Sequence, residues 1–118
     1  MYTRRCLLFL ALAALASAAD ISGKWIFSVH LDAGSGEPKF TFQQSGEKLT
    51  GTYSGQAGEA NLTGTVKGDQ VQFTFDANLG GGAIKVEYQG VIQADGTMKG
   101  TADYGGQASG NWTGKRAN

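Results

Sequence analysis

Leu62-Thr63-Gly64-Thr65-Val66-Lys67-Gly68-Asp69-Gln70-Val71-Gln72-Phe73-Thr74-Phe75 reads as two strands and the turn that joins them. Apolar residues or glycine occupy every second position on both sides of Gly68-Asp69, the period of a strand with one buried face. The register is testable on paper, because inward residues must oppose inward residues. A two-residue turn at Gly68-Asp69 pairs Val66 with Val71, Gly64 with Phe73 and Leu62 with Phe75, and glycine first suits a type II′ turn. The parity closes, so this segment is a hairpin with an apolar inner face.

The alternation continues in both directions, through Trp25, Phe27, Val29 and Leu31 on one side and Val86, Tyr88, Gly90 and Ile92 on the other. No stretch has helical spacing. A turn at Ser45-Gly46 pairs Phe42 with Leu49 and Phe40 with Gly51. At Ala94-Asp95-Gly96 a two-residue turn would oppose outward Gln93 to inward Met98, so parity selects a three-residue loop with Gly96 left-handed and Ile92 facing Met98. A three-residue loop at Gly105-Gly106-Gln107 sets Trp112 against Gly100. Phe40, Phe73 and Trp112 then each cover a cross-strand glycine.

Pentads of the form apolar-x-Gly-x-apolar recur, at Ile21–Trp25, Leu49–Tyr53, Leu62–Val66, Tyr88–Ile92, Met98–Ala102 and Ala108–Trp112. Glycine on the inner face of a strand packs nothing and costs entropy, so its recurrence points to a sheet that bends sharply or admits a large neighbour. A small barrel needs both. The expected fold is all-β: an eight-stranded antiparallel up-and-down meander closed into a small barrel, closure removing two bare edges.

The tight turns fall at one end, sealed by Trp25, Phe42, Leu49, Val66, Val71, Ile92, Met98 and Trp112. The opposite end receives longer connections, Asp32 to Lys39, Ser54 to Glu59 and Asp76 to Ala83. Tyr53, Phe75 and Tyr104 are expected at its rim, Tyr88 deeper, and Asp32, Glu37, Gln56, Asp76 and Asn78 on its loops. Aromatic walls with a few polar groups suit a ligand pocket, and the same tyrosines can equally plug a core with wetted hydroxyls.

Arg4 and Arg5 precede an apolar run from Leu7 to Leu15 and small residues through Ala19, the pattern of an export signal over residues 1–19. The arginine pair fits either the general secretory or the twin-arginine route. Residues 20–118 then form one domain, secreted or periplasmic, with no membrane span and, once Cys6 has gone, no thiol chemistry. Losing two arginines from a chain with ten bases and ten acids leaves a slight acidic excess, which argues against nucleic acid as partner. The expected partners are a small apolar ligand or a secreted protein.

Gly23-Lys24-Trp25, Leu49-Thr50-Gly51-Thr52-Tyr53 and Lys115-Arg116 resemble the calycin superfamily, the lipocalins and avidins. That resemblance implies barrel closure through Gly23, Trp25 and Arg116, the cation lying over the indole. Only Tyr53 matches an avidin-type ligand position, and Phe27 and Leu31 stand where that family is polar, so biotin is not the expected ligand. The mature chain is also similar to glycine-rich β-domains that accompany secreted bacterial amidohydrolases, which implies an accessory or inhibitory role. Catalytic residues, metal ligands and cofactors are not expected. The one histidine, His30, is outward, and no inward position holds Asp or Glu. Asn61-Leu-Thr63 and Asn111-Trp-Thr113 match the glycosylation sequon, which matters only in a eukaryotic host.

Overall fold

The computed structural model describes residues 20–55, 58–78 and 82–117, so the expected export signal lies outside the described residues. Nine strands follow one another: β1 (Gly23–Leu31), β2 (Gly34–Gly36), β3 (Lys39–Ser45), β4 (Lys48–Gly55), β5 (Gly58–Lys67), β6 (Gln70–Asn78), β7 (Ala83–Ile92), β8 (Met98–Tyr104) and β9 (Ala108–Arg116). From β3 to β9 each strand pairs antiparallel with the next, and β1 closes the ring by pairing with both β3 and β9. Trp25 lies opposite Arg116 and Leu31 opposite Gly110 across that closing seam.

The strand after β1 is broken in two. β3 covers Gly23 to Ile26 of β1, while the short β2 covers Val29 to Leu31. Between them Pro38 has no N–H to offer the ladder, but its carbonyl accepts from the Phe27 N–H at 3.0 Å. The barrel therefore has eight staves, one interrupted. This corrects the expectation of a long connection from Asp32 to Lys39: only a tight turn follows Leu31 before the chain re-enters the sheet. The other two connections also shorten, since β4 runs to Gly55, β5 starts at Gly58 and β6 runs to Asn78.

Three of the four turns take the expected register, with Val66 opposite Val71, Ile92 opposite Met98 and Trp112 opposite Gly100. The fourth is shifted by two residues. Ser45 pairs with Lys48, so the turn is Gly46-Glu47 and Phe42, not Phe40, faces Gly51. Gly46 and Gly68 both have φ of +62°, and in each hairpin the glycine takes the first turn position, where positive φ is required.

Gly23 also departs from expectation. It is exposed at φ +125°, where the chain turns, so it is not an inward glycine at the middle of a strand. Residues 20–22 instead cross the sealed end and bury Ile21 there. Five hydrogen bonds hold this plug: the Ile21 N–H donates to Gln44 Oε1 at 2.9 Å, the Gln44 N–H to Ser22 Oγ at 3.0 Å, Trp25 Nε1 to the Ile21 carbonyl at 2.8 Å, and Arg116 to the Asp20 and Ser22 carbonyls at 2.7 and 2.9 Å. The Arg116 guanidinium lies 4.9 Å from the Trp25 ring centre, a cation over an indole face.

Aromatic rings fill the interior. Phe27 stacks on Trp112 at 4.4 Å and 4°, Phe73 on Tyr88 at 5.1 Å, and Phe40 meets Phe73 edge-on at 5.3 Å. The inward glycines make this possible: a Cβ at Gly51, Gly64, Gly100 or Gly110 would run into a carbonyl of the neighbouring strand, that of Thr41, Gln72, Gln89 or His30. The wall coils so tightly there that only hydrogen fits. At Gly90 the added carbon would meet both the Lys99 carbonyl and the Trp112 ring, and at Gly114 it would meet the Phe27 ring, 2.6 Å away. Outward positions carry threonine, glutamine and lysine, the reverse of a membrane-spanning barrel's apolar exterior.

Candidate functional site

Alternation sends Leu31, Tyr53, Tyr104 and Ala108 inward at the end opposite the plug, and the strands carrying them stop at about the same height. They surround a recess of about 250 Å³, completed by Val29 and by the Ala33–Pro38 segment that contains β2. Its floor is the top of the aromatic core. Tyr53 stacks on Phe75 at 4.4 Å and meets Phe40 at 5.4 Å, which fixes its ring as one wall.

The opposite wall is Tyr104, whose hydroxyl lies 2.5 Å from that of Tyr88. Tyr88 is fully buried, whereas Tyr104 reaches the recess. The two hydroxyls share one hydrogen bond, in which either can be the donor, and the Tyr53 phenol lies near both. Burial pushes both phenols above the ordinary value of 10, Tyr88 far above it with the Tyr104 oxygen as the next cause. The pair is neutral across the physiological range.

Among the four residues expected at a ligand site, Tyr53 and Tyr104 line the recess and Phe75 and Tyr88 lie one layer beneath it, 3 % and 0 % exposed. Among the polar groups expected at this end, Glu37 lines the recess, and Asp32 is committed to the seam, where its Oδ1 accepts from the Ser109 N–H at 3.2 Å. Asp76 and Asn78 stand on the far rim opposite Lys85 and Ala83, and Gln56 lies outside the described residues. Alternation reached Val29 and Leu31 but not the contribution of β2, because Gly34-Ser35-Gly36 has no apolar residue to mark a strand.

His30 is exposed on the outer wall, its ring nitrogens 3.2 Å from Ser35 Oγ and 3.3 Å from Ser28 Oγ. No carboxylate joins that group in the hydrogen bonds of the described residues, and Ser35 belongs to the segment that borders the mouth recess. Among the described residues no three His, Cys, Asp or Glu side chains gather as metal ligands. No protein-family model matches the chain, and no curated protein matches it at a significant level.

Proposed function

We propose that this is a secreted, non-enzymatic binding barrel whose mouth takes a small apolar group between Tyr53 and Tyr104. The observation that carries the reading is the recess itself: concave, walled by two fixed aromatic rings, with the Tyr104 hydroxyl and Glu37 as its polar handles. A volume of about 250 Å³ is below the range of about 300–1,000 Å³ used by drug-sized ligands. The interior below is packed, so the ligand rests on the aromatic core and does not enter it; Phe75 and Tyr88 support the floor. Native mass spectrometry of protein taken from its own host, with a thermal-shift screen of small aromatic and aliphatic compounds, tests this. A bound species whose affinity falls in Tyr53→Ala supports it; no bound mass and no shift with any compound rules it out.

A second reading is an accessory or inhibitory module that grips a secreted hydrolase at the same end. It is favoured by β2, which among the described residues pairs with β1 alone and leaves its outer edge without a strand beside the recess, where an extended partner segment can add main-chain hydrogen bonds. The similarity to β-domains that accompany amidohydrolases points the same way. Capture of a hydrolase from the host's culture medium, lost when Gly34–Gly36 is replaced by prolines, separates this reading from the first.

A further inference from the structure

The outer wall over β5 to β9 holds a second and larger depression, about 760 Å³, sharing no residue with the mouth recess. Its origin is the direct pairing of Gly90 with Gly100, two inward positions without side chains, against which the Trp112 ring lies. With no Cβ to hold it off, the wall settles onto the indole, and its outer surface is dented.

Register lines one side of this groove with a ladder of short polar side chains, Thr65, Gln72, Gln89, Thr101 and Asn111, each opposite the next on adjacent strands and all exposed. Two of them are pre-set. Glu87 Oε2 accepts from Gln72 Nε2 at 2.9 Å and from Gln89 Nε2 at 3.2 Å, so both amides are oriented and both amide oxygens stay available as acceptors. The other side carries Lys67, Val91 and Lys99, and the Glu87 carboxylate lies on the far side of the ladder from these lysines. Lys67 and Lys99 are three strands apart in register, about 14 Å between backbones.

We propose that this groove binds an acidic polysaccharide, a chain bearing uronate carboxylates. Hydroxyls of the sugar rings bond to the ladder amides and threonines, ring faces rest on Val91 and the glycine floor, and carboxylates meet Lys67 and Lys99. An extended peptide is disfavoured because strands β5 to β9 are paired on both sides and offer no backbone edge. Nucleic acid is disfavoured because Val91 is the one large exposed hydrophobic residue among those described, so no aromatic face is open for a base to stack on.

The test uses oligogalacturonate and its fully methyl-esterified, neutral counterpart, titrated into the isotope-labelled secreted protein and followed by amide chemical shifts. Expected are saturable shifts at Gln72, Gln89, Thr101 and Asn111, binding at least tenfold weaker for the ester, and weakening with added salt. Lys67→Gln and Lys99→Gln each lower affinity by about tenfold, the scale of one charge-assisted contact, with melting temperature unchanged because both lysines are exposed. Equal affinity for ester and acid, shifts confined to Tyr53 and Tyr104, or no binding of either chain would overturn the proposal. Tyr53→Ala leaves glycan binding intact, so failure here is distinct from failure of the mouth site.

Discussion

Gly100→Ala is the perturbation that most directly tests why glycine recurs on the inner wall. Gly100 is not among the glycines with positive φ, so in a relaxed strand the added methyl would stabilise the protein by roughly 0.4–1 kcal/mol, through a less flexible unfolded chain. The structure reverses that sign. A Cβ on Gly100 would overlap the Gln89 carbonyl and stand 2.5 Å from Gly90 Cα, where ordinary contact begins at 3.4 Å. Both atoms are backbone, held in the β7–β8 ladder on one side and the β6–β7 ladder on the other. Relief therefore means moving a strand, and overpacking of this kind costs about 1–3 kcal/mol. Net destabilisation of about 2 kcal/mol is expected, a fall in melting temperature of roughly 8–16 °C for a domain of this size. Urea unfolding followed by the fluorescence of Trp25 and Trp112 reads it as a midpoint lowered by about 1 M at unchanged slope. Thr101→Ala, one residue away on the outer face, is the control and should stay within about 0.5 kcal/mol. If Gly100→Ala is as stable as the parent or more so, the wall is not tightly coiled at this point and the origin given for the outer groove fails with it.

Tyr104→Phe removes the hydrogen-bond partner of the buried Tyr88 hydroxyl and should cost about 1–2 kcal/mol, while the double change of both tyrosines to phenylalanine recovers part of the loss, a coupling that a double-mutant cycle measures. The same pair sets an alkaline limit. Both folded-state phenol pKa values are raised, so their contribution is fully present below the unfolded value of 10 and is lost as pH rises beyond it, when only the unfolded chain gives up protons. Stability measured between pH 9 and 11, on either side of that value of 10, should therefore fall more steeply in the parent than in the double phenylalanine variant. Arg116→Ala should cost about 1–3 kcal/mol, and Arg116→Lys should recover only part of it, because an ammonium cannot serve both plug carbonyls while lying flat over Trp25.

Period-two alternation made the barrel legible, and parity chose the turn lengths at Ala94–Gly96 and Gly105–Gln107. Parity is blind, however, to a shift of two residues. Phe42 against Leu49 and Phe42 against Gly51 both oppose inward positions, and what separates them is the positive φ that Gly46 takes at the head of its turn. Alternation is equally blind to a bend, so Ile21 looked like the first inward residue of a strand when it is the plug of the sealed end. At the mouth, Tyr53 and Tyr104 were legible as wall residues from strand parity alone. Phe75 fell one layer lower than the rim where it was expected, beside the Tyr88 that was expected deeper, because β6 continues to Asn78 and β7 begins at Ala83, which adds Ala77 and Ile84 to the inner face beyond them.

Packing and recognition are linked through the same glycines. Where an inner position lacks a side chain, a ring from the next strand takes its volume, as Trp112 does at Gly90 and Phe27 does at Gly114. Each substitution of this kind fills the interior further, and the rings of Phe27, Phe40, Phe73 and Tyr88 meet one another across it. On the proposed reading, binding then uses surfaces that the filled core shapes from within. At the mouth, the topmost rings of the stack become the walls of a shallow recess. At the waist, the paired glycines let the wall sink onto an indole and leave a groove outside. A variant that enlarges the interior, such as Phe73→Ala, should therefore lower stability by about 3–5 kcal/mol and loosen both sites together, whereas changes at Tyr53 or Lys99 should affect one and spare the other.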